Sequence, residues 1–121
     1  PGMHNIKLLR VADAKYPMPV AVPYDFDYCG IIDAPYAIPH EILPIEKVTE
    51  RFYMGTCREI EEYEEAFKIF HKKRSEFEAF FADSPYLEKG GKSKPLRYID
   101  GFYRIIDSKA GVNSEILRNC K

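Results

Sequence analysis

Residues 5–11, Asn5-Ile6-Lys7-Leu8-Leu9-Arg10-Val11, and residues 18–23, Met18-Pro19-Val20-Ala21-Val22-Pro23, decide the β part of the fold. Both runs are rich in branched apolar residues, the composition of strands. Between them lie Ala12-Asp13-Ala14-Lys15 and then Pro17, which is turn chemistry. Pro19 and Pro23 cannot donate to a ladder, so they belong at an edge or at strand ends. The two runs therefore predict an antiparallel hairpin. If it closes, the start of the first strand faces the end of the second, and Asn5 lies near Tyr24 and Asp25.

The chain continues as Tyr24-Asp25-Phe26-Asp27 and then becomes irregular to Pro44, because Pro35, Pro39 and Pro44 repeatedly prevent a helix. Tyr24, Phe26, Tyr28, Ile31, Ile32 and Tyr36 make this stretch sticky enough to wrap over a core. A loop this long without regular structure is uncommon unless it has a task. A short helix is expected over 45–50. Gly55 then offers a break, and Thr56 with Glu59 has capping-box spacing.

A long helix is expected at about 57–82. Ile60, Tyr63, Phe67, Phe70, Phe77 and Phe81 recur in steps of three and four, with Arg74 at the position that breaks the series. Glutamates crowd its first turns and His71-Lys72-Lys73-Arg74 follow, in the sense of the helix macrodipole. The stripe reads as core packing. Ser84-Pro85 and Gly90-Gly91 mark a connection, and a second helix is expected from Pro95, a residue suited to the first helical position. Leu96, Ile99, Tyr103 and Ile106 give it an apolar face, and Gly111 is expected to stop it. Val112 to Asn119 then offer a short terminal helix. Two amphipathic helices joined by a short link pack antiparallel. A two-stranded ribbon is marginal alone, so Ile6, Leu8, Val20 and Val22 are expected to lean on Phe67, Phe70 or Ile99.

The expected class is thus α+β: a hairpin over 1–27, an irregular wrap over 28–56 and a helical part over 57–121, in a single domain. With 45% apolar and 31% charged residues the 121-residue chain is globular in composition. A net charge of −1 gives no reason to expect nucleic acid or anionic lipid as a partner. No apolar run is long enough to insert in a membrane, and no signal peptide is visible. A strand that begins so early leads to the expectation that the chain is cut from something longer.

Oxygen ligands at the open end of a ribbon suit a hard cation, and Mg²⁺ characteristically takes one or two carboxylates. The alternative is structural, since Asn and Asp at strand ends also make turns and satisfy loose backbone groups. Other chemistries have less support. The serines lack a Gly-x-Ser-x-Gly elbow. His4, His40 and His71 show no ligand spacing, and Gly90-Gly91-Lys92-Ser93 lacks the first glycine of a phosphate loop. Lys89, Lys92 and Lys94 read as a flexible basic linker. Cys29, Cys57 and Cys120 lack zinc-site spacing. They read either as buried free thiols or as a Cys57–Cys120 bridge tying the chain end to the start of the long helix, which would imply an oxidising compartment.

The segment His4-Asn5-Ile6-Lys7-Leu8-Leu9, a turn, and Val20-Ala21-Val22-Pro23-Tyr24-Asp25-Phe26-Asp27 resembles the hairpin between catalytic and metal loops in atypical kinases. The likeness is to the CotH-type protein kinases and, more distantly, to the HipA-type kinases. It covers about the first thirty residues. The stretch from the hairpin through Asp33-Ala34-Pro35-Tyr36-Ala37 to the helices also resembles a group of exported, mostly uncharacterised bacterial proteins, which suggests export or the cell envelope. The kinase resemblance implies that Asn5 matches the metal-binding Asn of the catalytic loop and Asp25 the metal-binding Asp of the second loop. Asp27 matches a second acidic residue. It also implies Mg²⁺ with ATP in a parent protein whose remainder would be the partner. The catalytic Asp of that pattern would lie ahead of Pro1, and Phe26-Asp27-Tyr28 replaces the usual Asp-Phe-Gly continuation. The chain alone is therefore not expected to transfer phosphate. A non-catalytic structural or protein-interaction module is the other expectation.

Overall fold

A computed structural model describes residues 5–10 and 18–121. The expected turn at 12–17, Val11 and His4 lie outside the described residues. Strands β1 (Ile6–Leu9) and β2 (Val20–Pro23) form a two-stranded antiparallel sheet. Ile6 lies opposite Pro23, and Leu9 opposite Val20. Residues 24–59 contain turns and bends with no regular element. Helices α1 (Ile60–Ala82), α2 (Lys89–Ile106) and α3 (Lys109–Val112) follow, and a π-helical turn, Asn113–Leu117, completes the chain's regular structure. The α+β class read from the sequence is the class observed.

Several boundaries differ from expectation, each for a local reason. Residues 45–50 form no helix. Glu50 N–H donates to the Lys47 carbonyl at 3.0 Å, and Lys47 N–H to the Glu50 carboxylate at 2.9 Å, which closes one turn only. With β-branched Val48 and Thr49 inside it, that turn is too short to propagate. The start of α1 is capped one turn later than Thr56: Glu62 reaches back to the Glu59 backbone N–H at 3.4 Å. Thr56 instead offers its carbonyl to the Tyr63 hydroxyl at 3.2 Å.

Helix α2 starts six residues before Pro95, so Gly90 and Gly91 lie in its first turn and Pro95 is buried in its interior. Lys92 and Lys94 are consequently anchored rather than free. Lys92 Nζ donates to the Ala82 carbonyl at the end of α1 (2.7 Å), and Lys94 Nζ pairs with Asp33 (3.0 Å). Gly111 does not end α2. The break falls at Asp107-Ser108, where the Ser108 hydroxyl caps α3 by accepting from Gly111 N–H at 3.2 Å. Gly111 is needed for another reason: a Cβ there would stand 2.7 Å from the Ile105 carbonyl oxygen.

Helices α1 and α2 pack antiparallel, as the contacts Lys92 to Ala82, Arg74 to Asp100 and His71 to Asp107 show. Their centre is Tyr103, 1% exposed, whose hydroxyl donates to the Phe70 carbonyl at 2.7 Å. Arg74, which interrupts the aromatic series, lays its guanidinium over the Tyr103 ring at 4.5 Å and pairs with Glu78 and Asp100. Tyr63, Ile106, Val112 and Ile116 are buried with Tyr103, as is Pro95. The stripe on α1 is only partly core. Tyr63 is buried, but Ile60, Phe70 and Phe77 are exposed. Between α1 and α2 an open apolar groove of about 840 Å³ remains, with Ile31, Phe77, Phe80, Phe81, Tyr98 and Ile99 among its lining.

The wrap is held against α2 at Tyr98. Arg51 stacks over the Tyr98 ring at 3.9 Å and bonds its carbonyl. Gly30 lies so close to the Tyr98 hydroxyl and the Val48 carbonyl that a Cβ would overlap both. Cys57 and Cys120 form a disulfide, and Cys29 is a half-buried free thiol.

The expected seat for the hairpin is not observed. Ile6, Leu8, Val20 and Val22 are all exposed, and among the described residues neither strand packs extensively on a helix. The register supplies the reason. Opposed residues share a face, so Ile6 and Leu8 lie on one face and Val20 and Val22 on the other. A single helical layer could not cover all four. Among the described residues, no helix is long and apolar enough to cross a membrane.

Candidate metal centre at the ribbon end

The pairing of β1 with β2 extends one residue beyond both strands: Tyr24 N–H donates to the Asn5 carbonyl at 2.9 Å. This brings Asn5 and Asp25 together. The Asn5 side-chain amide donates to the Asp25 backbone carbonyl at 2.9 Å, twenty residues away in the chain. Its nitrogen is thereby engaged, and among the described residues nothing donates to its Oδ1. Both residues have left-handed backbones, with φ of 68° at Asn5 and 60° at Asp25. Asn and Asp tolerate that region better than other non-glycine residues, so the backbone favours these residue types whatever else they do.

Asp27 completes the group. Its Oδ2 accepts from the Tyr36 hydroxyl and its Oδ1 from Tyr28 N–H, both at 3.1 Å. Hydrogen bonding with Asp27, and then the negative charge of Asp27, hold the Asp25 carboxyl above the usual carboxylate range. Asp27 is held below it by hydrogen bonding with Asp25 and by the bonds from Tyr36 and Tyr28. The same bond to Asp27 pushes the Tyr36 hydroxyl up.

The three residues implied by the kinase resemblance, Asn5, Asp25 and Asp27, are brought to one end of the ribbon. Tyr36 joins them from the wrap; the sequence marked it as part of a sticky segment and of the Asp33-Ala34-Pro35-Tyr36-Ala37 stretch, and neither pointed to Asp27. The donor set is composed of hard oxygens: two carboxylates and an amide. Among the described residues no three His, Cys, Asp or Glu side chains gather into a larger cluster. Two carboxylates with an amide are within what Mg²⁺ accepts, since it keeps several positions for water and phosphate.

Compared with known families, curated proteins and solved structures, the chain matches no family model, no curated relative and no solved structure.

Proposed function

We propose that the chain is the metal-holding portion of a kinase-like phosphotransferase, in which Asn5, Asp25 and Asp27 bind Mg²⁺ and, through it, the phosphates of ATP. The observation that carries this reading is the meeting of Asn5 with Asp25 across the ribbon, with the Asp27 carboxylate, held by Tyr36 and Tyr28, two residues on. Bound Mg²⁺ supplies charge neutralisation for phosphoryl transfer, which depends mainly on positioning and electrostatics. The residues of this chain would do the positioning. Asn5 ties the two sides of the site together, and Tyr36 and Tyr28 orient Asp27. None of them corresponds to the catalytic Asp of the resembled loop, so the base belongs to the remainder of the parent protein. The Cys57–Cys120 disulfide favours an oxidising compartment for that protein.

The test is a titration of Mn²⁺, as a paramagnetic substitute for Mg²⁺, with and without ATP. Asp25→Asn keeps a residue suited to the left-handed backbone and removes the charge, so it is expected to weaken binding at least tenfold without changing the circular dichroism spectrum. Proton and cation compete for Asp25, whose pKa is raised. Affinity should therefore fall as pH is lowered through that value. Binding that is indifferent both to the substitution and to pH would remove Asp25 from the site.

The apolar groove between α1 and α2 favours a second reading, a protein-interaction module. In that case Phe80→Asp, at a residue 73% exposed, would abolish a partner's binding while Asp25→Asn would not.

A further inference from the structure

We infer that the edge of β1, unpaired among the described residues, is a docking edge, and that its occupant is a strand of a folded partner domain with apolar layers on both sides. The identification of that domain with the remainder of the phosphotransferase rests on the reading above. The edge itself follows from the hydrogen-bond phase of the ribbon. Tyr24 N–H bonds to the Asn5 carbonyl, and in an antiparallel ladder bonded and non-bonded pairs alternate. With the observed register, Lys7/Val22 and Leu9/Val20 are the inward-bonded pairs. The backbone groups of Ile6, Leu8, Ala21 and Pro23 therefore point outward.

The two outer edges are not equivalent. On β2, Pro23 has no N–H to offer, and Pro19, just before the strand, has the same phase. Proline on an outward-facing position is a device that blunts an edge. On β1, Ile6 and Leu8 keep both donor and acceptor. A strand added to this ribbon would lie beside β1.

The two faces show what kind of partner fits. One carries Ile6, Leu8, Ala21 and Pro23. The other carries Leu9, Val20 and Val22, with Lys7 as its one charge. All eight strand residues are exposed. Strands apolar on both faces occur in sheets covered on both sides. A second copy pairing β1 to β1 would satisfy the edge and still leave both faces of the four-stranded sheet open. A layered domain satisfies edge and faces together.

Amide hydrogen exchange on the full product of the gene reads this edge directly. Ile6, Leu8 and Ala21 all present outward N–H groups, so only the occupied edge should be protected. The expected result is protection of Ile6 and Leu8 about 100-fold greater than that of Ala21. Equal, weak protection at all three overturns the proposal. So does protection of Ile6 and Leu8 that disappears on dilution together with a particle of twice the gene product's mass, because the occupant is then a second copy. Leu8→Pro and Ala21→Pro each remove one outward N–H; the first is expected to lower the melting temperature of the full product more than the second, and the reverse order overturns the proposal. Asp25→Asn separates the two readings. Unchanged protection at Ile6 and Leu8 with no Mn²⁺ binding even before substitution would sink the metal site and leave the docking edge standing.

Discussion

Asp27 accepts from the Tyr36 hydroxyl and from Tyr28 N–H, and these bonds give the ribbon end its electrostatic character. The neighbouring Asp25 is raised chiefly through hydrogen bonding with Asp27 and the charge beside it. Asp27→Asn removes that charge, so the Asp25 pKa should fall toward about 3.9, the value of an unperturbed Asp. Side-chain carboxyl ¹³C shifts followed from about pH 2 to 7, a range that brackets the ordinary carboxylate pKa, would measure it. An unchanged Asp25 midpoint would show that Asp27 does not raise it. The linkage signs are opposite at the two sites. The contribution of Asp25 to stability is present at low pH and lost as pH rises through its raised pKa. That of Asp27 is present above the ordinary range and lost as pH falls through its lowered one. Tyr36 should report the same substitution. Its hydroxyl is raised by Asp27, and in the Asp27→Asn variant its titration should shift down.

The helix pair turns on Tyr103, which is both the most buried side chain and a hydrogen-bond donor to α1. Tyr103→Phe leaves the ring under Arg74 and removes only the bond to the Phe70 carbonyl, so a loss of about 1 kcal/mol is expected from denaturant unfolding. Tyr103→Ala also empties the centre of the pair and should cost about 3–5 kcal/mol. Equal losses for the two variants would mean that the ring's packing contributes nothing. Elements of this kind were legible in the sequence because three-four spacing of large aromatics survives any choice of boundary. The boundaries were not, because the signals compete locally. Pro95 suits a first helical position, yet Glu88 begins α2 earlier. Thr56 and Glu59 have capping-box spacing, yet the Thr56 carbonyl is taken by Tyr63. The meeting of Asn5 and Asp25 was legible for a different reason, since strand pairing alone fixes which residues face each other across a ribbon end. Tyr36 was not, because its approach to Asp27 depends on turns in the wrap that carry no periodic pattern.

At the scale of the molecule, the chain divides into a covalently closed part and an open one. The Cys57–Cys120 disulfide spans 63 residues and encloses α1, α2, α3 and the π-helical turn. Backbone bonds from Cys57 N–H to the Lys121 carbonyl and from Lys121 N–H to the Gly55 carbonyl, both 3.0 Å, reinforce the same closure. The ribbon lies outside this ring. Few large side chains are fully buried, so the closure is expected to matter for the helical part. Restricting a loop of this length in the unfolded chain stabilises the folded state by about 4 kcal/mol in the chain-entropy account. The double variant Cys57→Ser, Cys120→Ser should therefore lower the unfolding free energy by about 2–4 kcal/mol. It should also speed exchange of the Tyr103 and Ile106 amides, while the exchange of Lys7 and the carboxyl titration of Asp25 stay as they were. A uniform change in ribbon and helices would show instead that the two parts unfold as one cooperative unit, with the ribbon coupled to the helices more tightly than its exposed strands imply.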